Sequence, residues 1–368
     1  MSYIKLTFLG DVMLGRDISK RFLKNSDSIV EDNVVVHLKE SDYVFANLEA
    51  PISTIPEDEG DLMNFVGTPT MLDKVSYIHG FSLANNHIND AGNVGVIDSI
   101  KHLEKKKVGH NGFYDQEYEP LVINNNGEKV AIICCTDILN VPMDEHFDKK
   151  LLWLENPIID KKIKQYKDLG YFVALYAHGG IMFTRFPNPA FRKILHEKVD
   201  LGVDCIVTVH PHVLGGMEYY KGKPIFYSIG DFIMDGQSER RRKACVLDVT
   251  IKNSELLDWC IKPTFISKDL STVFPNEKQQ EKIINSWNSV SKLLKENSNE
   301  YEKFYKEQYK KEIILHSIST IHFQIKYKGV LSLIKLFFKR FKDFKNMARW
   351  AMKDTSSMRN NLEDKNML

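Results

Sequence analysis

Apolar residues in the first two-thirds of the chain come in short runs, and each run ends in polar residues. The run at 4–9 ends in Gly10-Asp11, the one at 43–46 in Asn47-Leu48-Glu49, and the one at 79–83 in Ala84-Asn85-Asn86-His87. Further runs of strand length, rich in β-branched residues, lie at 130–135, 172–177 and 205–209. Between them, 94–105 and 188–199 carry apolar residues at helical spacing. Strand–helix alternation of this kind predicts an α/β sandwich with a mostly buried sheet. Segments 223–228 and 244–251 read as later strands that pair antiparallel, and 256–266 as another. From about Phe274 onward Glu, Lys, Asn and Gln dominate and the apolar residues follow a helical period. The expected organisation is an α/β body over 1–270 and a helical extension over 271–368.

Composition supports a folded chain. Of 368 residues, 43% are hydrophobic and 11% aromatic, enough for a substantial core and too much for a disordered chain. No apolar run approaches the roughly 18 residues of a membrane span. The first ten residues lack a basic stretch followed by a long apolar one, so a cytoplasmic location is expected. The five cysteines, two of them adjacent at Cys134 and Cys135, read as reduced, buried thiols and not as a disulfide framework.

The net charge of +1 conceals an asymmetry. From Ile266 onward there are 20 Lys and Arg against 12 Asp and Glu, so the body is acidic and the tail basic. Within 329–353, Lys335, Lys339, Lys342, Arg349 and Lys353 share one helical face, and Ile334, Phe337, Phe341, Phe344 and Met352 the other. Such a helix suits an anionic membrane surface, or a docking face on a partner or on the body. Its aromatics lie away from the charges, unlike a stacking platform for nucleic acid, and no nucleic-acid partner is expected.

The candidate chemistry sits at the strand ends. Asp11, Asn47, Glu49, Asn86, His87, His178, His210 and His212 each lie at or just after the carboxyl end of an apolar run. That is where ligands bind in open α/β sheets. Two carboxylates, amides and four imidazoles without a cysteine suit divalent or trivalent ions such as Mn, Fe or Zn. A carboxylate shared between ligand groups from several strand ends is what a two-metal centre needs. Pro211 stiffens the loop that carries His210 and His212.

Motif order and spacing then carry a resemblance. Gly10-Asp11-Val12-Met13-Leu14-Gly15-Arg16, Asn47-Leu48-Glu49 and Asn85-Asn86-His87-Ile88-Asn89-Asp90-Ala91-Gly92 are three of its segments. His178-Gly179-Gly180, His210-Pro211-His212 and Pro224-Ile225-Phe226-Tyr227-Ser228-Ile229-Gly230-Asp231-Phe232 complete it. The sequence resembles the CapA family of bacterial capsule or poly-γ-glutamate synthesis proteins, within the calcineurin-like metallophosphatase superfamily. The resemblance implies a four-layer α/β sandwich. It implies metal ligands at Asp11, Glu49, Asn86, His178, His210 and His212, holding one or two ions, with Glu49 bridging. It assigns His87 to protonation of a leaving group or stabilisation of phosphoryl charge. Arg16 suits a substrate phosphate or carboxylate, or else a surface salt bridge. Asp90 either orients His87 or caps the helix that follows.

Three positions depart from that pattern. Met13 stands where metallophosphatases have a histidine, so one ion loses a ligand. Asp231 stands where many family members have asparagine, and it either approaches the site or caps a turn. Met182 occupies the region of a glutamate common after the Gly-Gly pair. The function expected from the resemblance is metal-dependent hydrolysis of a phosphorylated or polymer-linked intermediate in capsule or exopolymer synthesis, whether poly-γ-glutamate or polysaccharide. The alternative is a non-catalytic metal- or polymer-binding subunit of a synthase or exporter. Either way the expected partners are the polymer-synthesis machinery and, through 329–353, the inner face of a membrane.

Overall fold

The apolar runs assemble into two sheets. A computed structural model describes residues 3–328 apart from 25–26, 56–63, 115, 236–237 and 297–298. The basic segment at 329–353 lies outside the described residues. The strands are β1 (Ile4–Val12), β2 (Tyr43–Leu48), β3 (Gly80–Ser82), β4 (Gly109–Asn111), β5 (Leu121–Asn125), β6 (Glu128–Thr136) and β7 (Phe172–His178). They continue as β8 (Cys205–Val209), β9 (Met217–Tyr220), β10 (Lys223–Phe226), β11 (Asp231–Ile233), β12 (Lys243–Lys252), β13 (Glu255–Ile266) and β14 (Thr272–Val273). One sheet runs β14-β13-β12-β1-β2-β3-β4, with β11 also paired to β1, and the other β5-β6-β7-β8-β10-β9. β1 to β4 are mutually parallel, and so are β6, β7, β8 and β10.

Helices α1 (Arg16–Phe22), α2 (Asp32–Lys39), α3 (Gly92–Lys105), α4 (Glu145–Asp148), α5 (Pro157–Asp168) and α6 (Pro189–Asp200) fill the connections. α7 (Glu277–Glu296) and α8 (Tyr301–Lys328) follow the last strand. α5 and α6 start alike: Asn156 and Asn188 accept a hydrogen bond from the backbone N–H of Ile158 and Phe191, and a proline takes the first turn. Their apolar faces, with Ile159, Ile163 and Leu195, share one core with Ile133, Leu175 and Ile206 of the second sheet. α2 covers the outer face of the first sheet, where His37 Nε2 reaches Asp248 of β12 at 3.0 Å.

The two sheets pack face to face, which gives the α/β/β/α layering expected. Phe8 and Phe45 of the first sheet meet Tyr176 of the second at ring-centroid distances of 6.1 and 5.2 Å. The Tyr176 hydroxyl donates to the Leu9 carbonyl at 2.7 Å. Burying side chains of this size stabilises the fold by about 1.5–3 kcal/mol each. The hydroxyl bond fixes how far the carboxyl ends of β1 and β7 stand apart.

Two expectations are corrected. Segments 223–228 and 244–251 do not pair with each other: β10 lies in the second sheet beside β8 and β9, and β12 lies in the first beside β1 and β13. The chain crosses between sheets after Tyr227, through Ser228 (φ 61°) and Gly230 (φ 80°) in left-handed conformation, and that turn carries Asp231 to Asp11. Four cysteines are buried as read, but Cys260 is exposed on β13.

By packing, the chain divides into Met1–Ile313 and Ile314–Leu368. Trp287, Leu294, Tyr301, Phe304 and Tyr305 of α7 and early α8 are buried in the first unit. In the second, α8 continues with Ile314, Leu315 and Ile318 exposed. Among the described residues no helix is long and apolar enough to cross a membrane.

Candidate metal centre

Five strand ends deliver the polar residues to one place. β1 ends with Asp11, β2 leads into Glu49, β3 into Asn85-Asn86-His87, β7 ends with His178, and β8 leads into His210 and His212. Asp11, Glu49 and His178 are fully buried, and Asn86, His210 and His212 nearly so.

The ligand atoms form two overlapping groups. Glu49, His178 and His210 each offer an atom within 4.8 Å of the others, and so do Asp11, Glu49 and His212. The Asn86 amide oxygen lies 2.6 Å from His178 Nε2, and His210 Nδ1 lies 3.1 Å from the same nitrogen. Glu49 Oε1 is 3.7 Å from His178 Nε2 and 3.5 Å from His212 Nε2, so it stands between the groups. Asn47 holds the floor, with its amide nitrogen 2.8 Å from Asp11 Oδ1 and 3.1 Å from His178 Nδ1.

Backbone strain marks the same loop. His210 (φ 102°) and His212 (φ 55°) both have left-handed backbones without being glycine. Such residues cost on the order of 1–3 kcal/mol each and persist where surrounding structure dictates them. Here the His210 N–H donates to Asp11 Oδ2 at 3.1 Å, and His212 Nδ1 meets Asp231 Oδ1 at 2.8 Å.

The donor set fits a cation. Both Glu49 oxygens, His210 Nε2 and Asp231 Oδ2 are buried without a hydrogen-bond partner among the described residues. Burial, then the charges of Asp11 and Asp231, push the Glu49 carboxyl well above its usual range, and burial raises Asp11 as well. Burial and neighbouring imidazoles hold His178 and His210 well below theirs, so both are neutral, the form that offers lone pairs. A positive ion between these groups satisfies the orphaned oxygens and removes the repulsion.

His87 stands beside the cluster and belongs to neither group of candidate ligand atoms. Its Nδ1 lies 2.7 Å from Asp90 Oδ2, its Nε2 3.2 Å from the Asn140 amide, and its ring stacks on Phe65 at 3.8 Å. Asp90 also accepts from the Phe65 N–H at 2.8 Å. It is therefore not the cap of α3, whose N-cap is Ala91. Arg16 pairs with Asp235 at 2.8 Å and lies over Phe65. The Met13 sulfur faces the Gly15 N–H at 3.1 Å. Asp231 does approach the site, as the partner of His212. Phe65, Asn140 and Asp235 lie outside every motif, and nothing in their local sequence marks them.

Known proteins are similar in sequence to most of this chain. The family described as "Bacterial capsule synthesis protein PGA_cap" matches residues 5–236. The "Capsule biosynthesis protein CapA" of Bacillus anthracis is 28% identical over 267 residues, which cover 68% of this chain and 64% of that protein. The "PGA biosynthesis protein CapA" of Bacillus subtilis (strain 168) is 27% identical over 262 residues, 68% of each chain. The chain thus spans about two-thirds of the length of the curated relatives it matches. Among solved structures, a putative 5'-nucleotidase from Staphylococcus aureus aligns with a TM-score of 0.47 and 13% identity, over 78% of this chain and 58% of that one. With most of its length matched by the family model, the chain belongs to the bacterial capsule synthesis protein PGA_cap family.

Proposed function

We propose that the chain is a metal-dependent phosphoesterase of capsule or exopolymer synthesis, acting on a phosphorylated or polymer-linked intermediate. The observation that carries this reading is Glu49, a fully buried carboxylate with neither oxygen hydrogen-bonded, set between two groups of ligand atoms. Glu49, Asn86, His178 and His210 would hold one ion, and Asp11, Glu49 and His212 another. Bound ions of the Mn, Fe or Zn kind would polarise a phosphoryl oxygen and activate water. His87 has the position of a general acid: Asp90 fixes its Nδ1 and Phe65 stacks on its ring, so that Nε2 is the atom that would pass a proton to the departing oxygen. The Asn140 amide nitrogen, 3.2 Å from Nε2, marks where that oxygen would approach. Arg16 would hold an acidic group of the substrate. The printed names of the relatives supply the polymer context.

Hydrolysis of an aryl phosphodiester by the purified chain with added Mn tests this. Wild type is expected to turn over, and His87→Asn to lose at least about 100-fold in rate while keeping its metal. Equal rates for the two would contradict the role of His87.

Met13 favours a second reading. Its sulfur faces Gly15, so the Asp11 group has three donor residues where the other has four. A chain that binds metal stoichiometrically and turns over no phosphoester would be an accessory subunit of a polymer synthase or exporter. In either case 329–353 is proposed to lie on an anionic membrane surface, and removal of 329–368 is expected to abolish binding to anionic vesicles.

A further inference from the structure

Two cation–aromatic pairs flank the ligand cluster. On one flank the Arg16 guanidinium carbon lies 4.9 Å from the centroid of Phe65, the ring stacked on His87. On the other the Arg241 guanidinium carbon lies 5.3 Å from the centroid of Phe183, whose ring is 6.3 Å from that of His212. His87 and His212 thus each have an aromatic neighbour that carries an arginine.

Asp235 serves both cations. It is buried and pairs with Arg16 at 2.8 Å. Burial raises its carboxyl to about 6, while Arg16 and Arg241 both draw it down. Asp17 and Asp231 push the same carboxyl up, so the region holds carboxylates beyond Asp235, and the Arg241 donor left unpaired among the described residues is what an anion would meet. Arg241 Nε is buried and makes no hydrogen bond among the described residues. A buried N–H donor left over beside a shared carboxylate is what an absent acceptor leaves behind. Arg16 is also one of the few non-glycine residues with left-handed backbone, at φ 50°. Strain of that kind collects at ligand clamps.

The Arg241 flank is braced from behind. Glu312 of α8, only 2% exposed, accepts from Arg185 at 2.9 Å and also from Arg240. Arg185 lies two residues after Phe183, and Arg240 directly precedes Arg241. One carboxylate therefore ties together the two segments that carry the Phe183–Arg241 pair. Segments tied this way set the backbone of the Phe183–Arg241 pair before a ligand arrives, which lowers the ordering cost of binding.

We propose that Arg16 and Arg241 form an oxyanion subsite that receives a second acidic group, a carboxylate or a phosphate, of a substrate whose phosphoryl group faces the ligand cluster. This rests on the phosphoesterase reading and adds to it the class of substrate: a phosphoester that carries a further negative charge. A planar guanidinium fork suits either oxyanion. Without substrate, Asp235 holds Arg16 in place.

Calorimetry on the Mn-loaded full chain tests this with a matched series: butyl phosphate, its ω-carboxylate and its ω-phosphate. Wild type is expected to bind at least one of the doubly acidic probes about tenfold or more tighter than butyl phosphate. Arg241→Gln is expected to remove that advantage and leave butyl phosphate binding in place. Arg241→Lys, which keeps charge without the fork, is expected to retain only part of it. Preference for the carboxylate or the phosphate probe identifies the oxyanion. The proposal is overturned if wild type binds all three probes alike, or if the arginine variants match wild type. It is equally overturned if they weaken all three probes to the same degree. Retained metal in each variant shows that it is folded. Binding of the doubly acidic probes without hydrolysis of any phosphoester would remove the enzymatic reading and leave the subsite standing.

Discussion

Glu49 concentrates the physics of the site in one residue. It is fully buried, near Asp11 and Asp231, and its carboxyl is raised well above the ordinary value of 4.5. In metal-free protein the folded state therefore keeps a proton there that the unfolded chain releases. The fold loses stability as pH rises through 4.5 towards that raised value. Glu49→Gln removes the ionisable group. It is expected to melt higher than metal-free wild type at neutral pH, with the difference shrinking to nothing as pH falls to about 4.5. A constant difference across that range, in calorimetric melts of chelator-treated protein, would contradict this. Asp231→Asn keeps an oxygen for His212 Nδ1 but removes the charge, and is expected to weaken metal binding by about 10–100-fold. Titration with Mn followed by electron paramagnetic resonance measures it. At this scale the sequence was legible for which residues cluster, because Asp11, Asn86, His178 and His210 recur at apolar-run ends where one rule applies to all. Phe65, Asn140, Asp235 and Arg241 were illegible, because loops bring them in by tertiary packing and no spacing announces them.

At the scale of elements, the strand ends converge because two sheets are locked together near Gly10. A side chain there would meet the Gly230 carbonyl oxygen at 1.7 Å, so β1 and the crossover before β11 approach each other only through glycine. Gly10→Ala is expected to cost about 1–3 kcal/mol or more, read as a lower urea midpoint, and to reduce metal content by displacing Asp231 from Asp11. An unchanged midpoint would mean that the crossover is looser than its geometry. β6, β7 and β8 were readable from their apolar runs, β8 to the residue, because they are buried on both faces. The short β4, β9, β11 and β14 were not, since two to four residues carry no period. The pairing of β10 and β12 was misread because sequence neighbours usually pair, and here a left-handed turn sends the second strand to the other sheet.

For the whole molecule, the shift in composition near Phe274 lies just before α7, which begins at Glu277. It could not show that α7 and early α8 belong to the first packing unit, because burial of Trp287, Leu294 and Phe304 depends on surfaces made by distant residues. A chain ended at 328 is expected to melt like the full chain and to keep its metal. One ended at 276 loses several large buried side chains, at about 1.5–3 kcal/mol each, and is expected to melt far lower. Similar melting of both truncations would contradict the packing role of α7. The acidic body and basic tail add a further expectation: vesicle binding through the tail weakens as salt rises. The phosphoesterase reading rests on the presence of an ion at Glu49. The most direct test is elemental analysis of metal per chain in purified wild type and Glu49→Gln. One or two equivalents in wild type, lost in the variant while the fold is retained, is the expected result. A metal-free wild type, or a variant that keeps the full complement, would contradict the metal centre and the phosphoesterase reading with it.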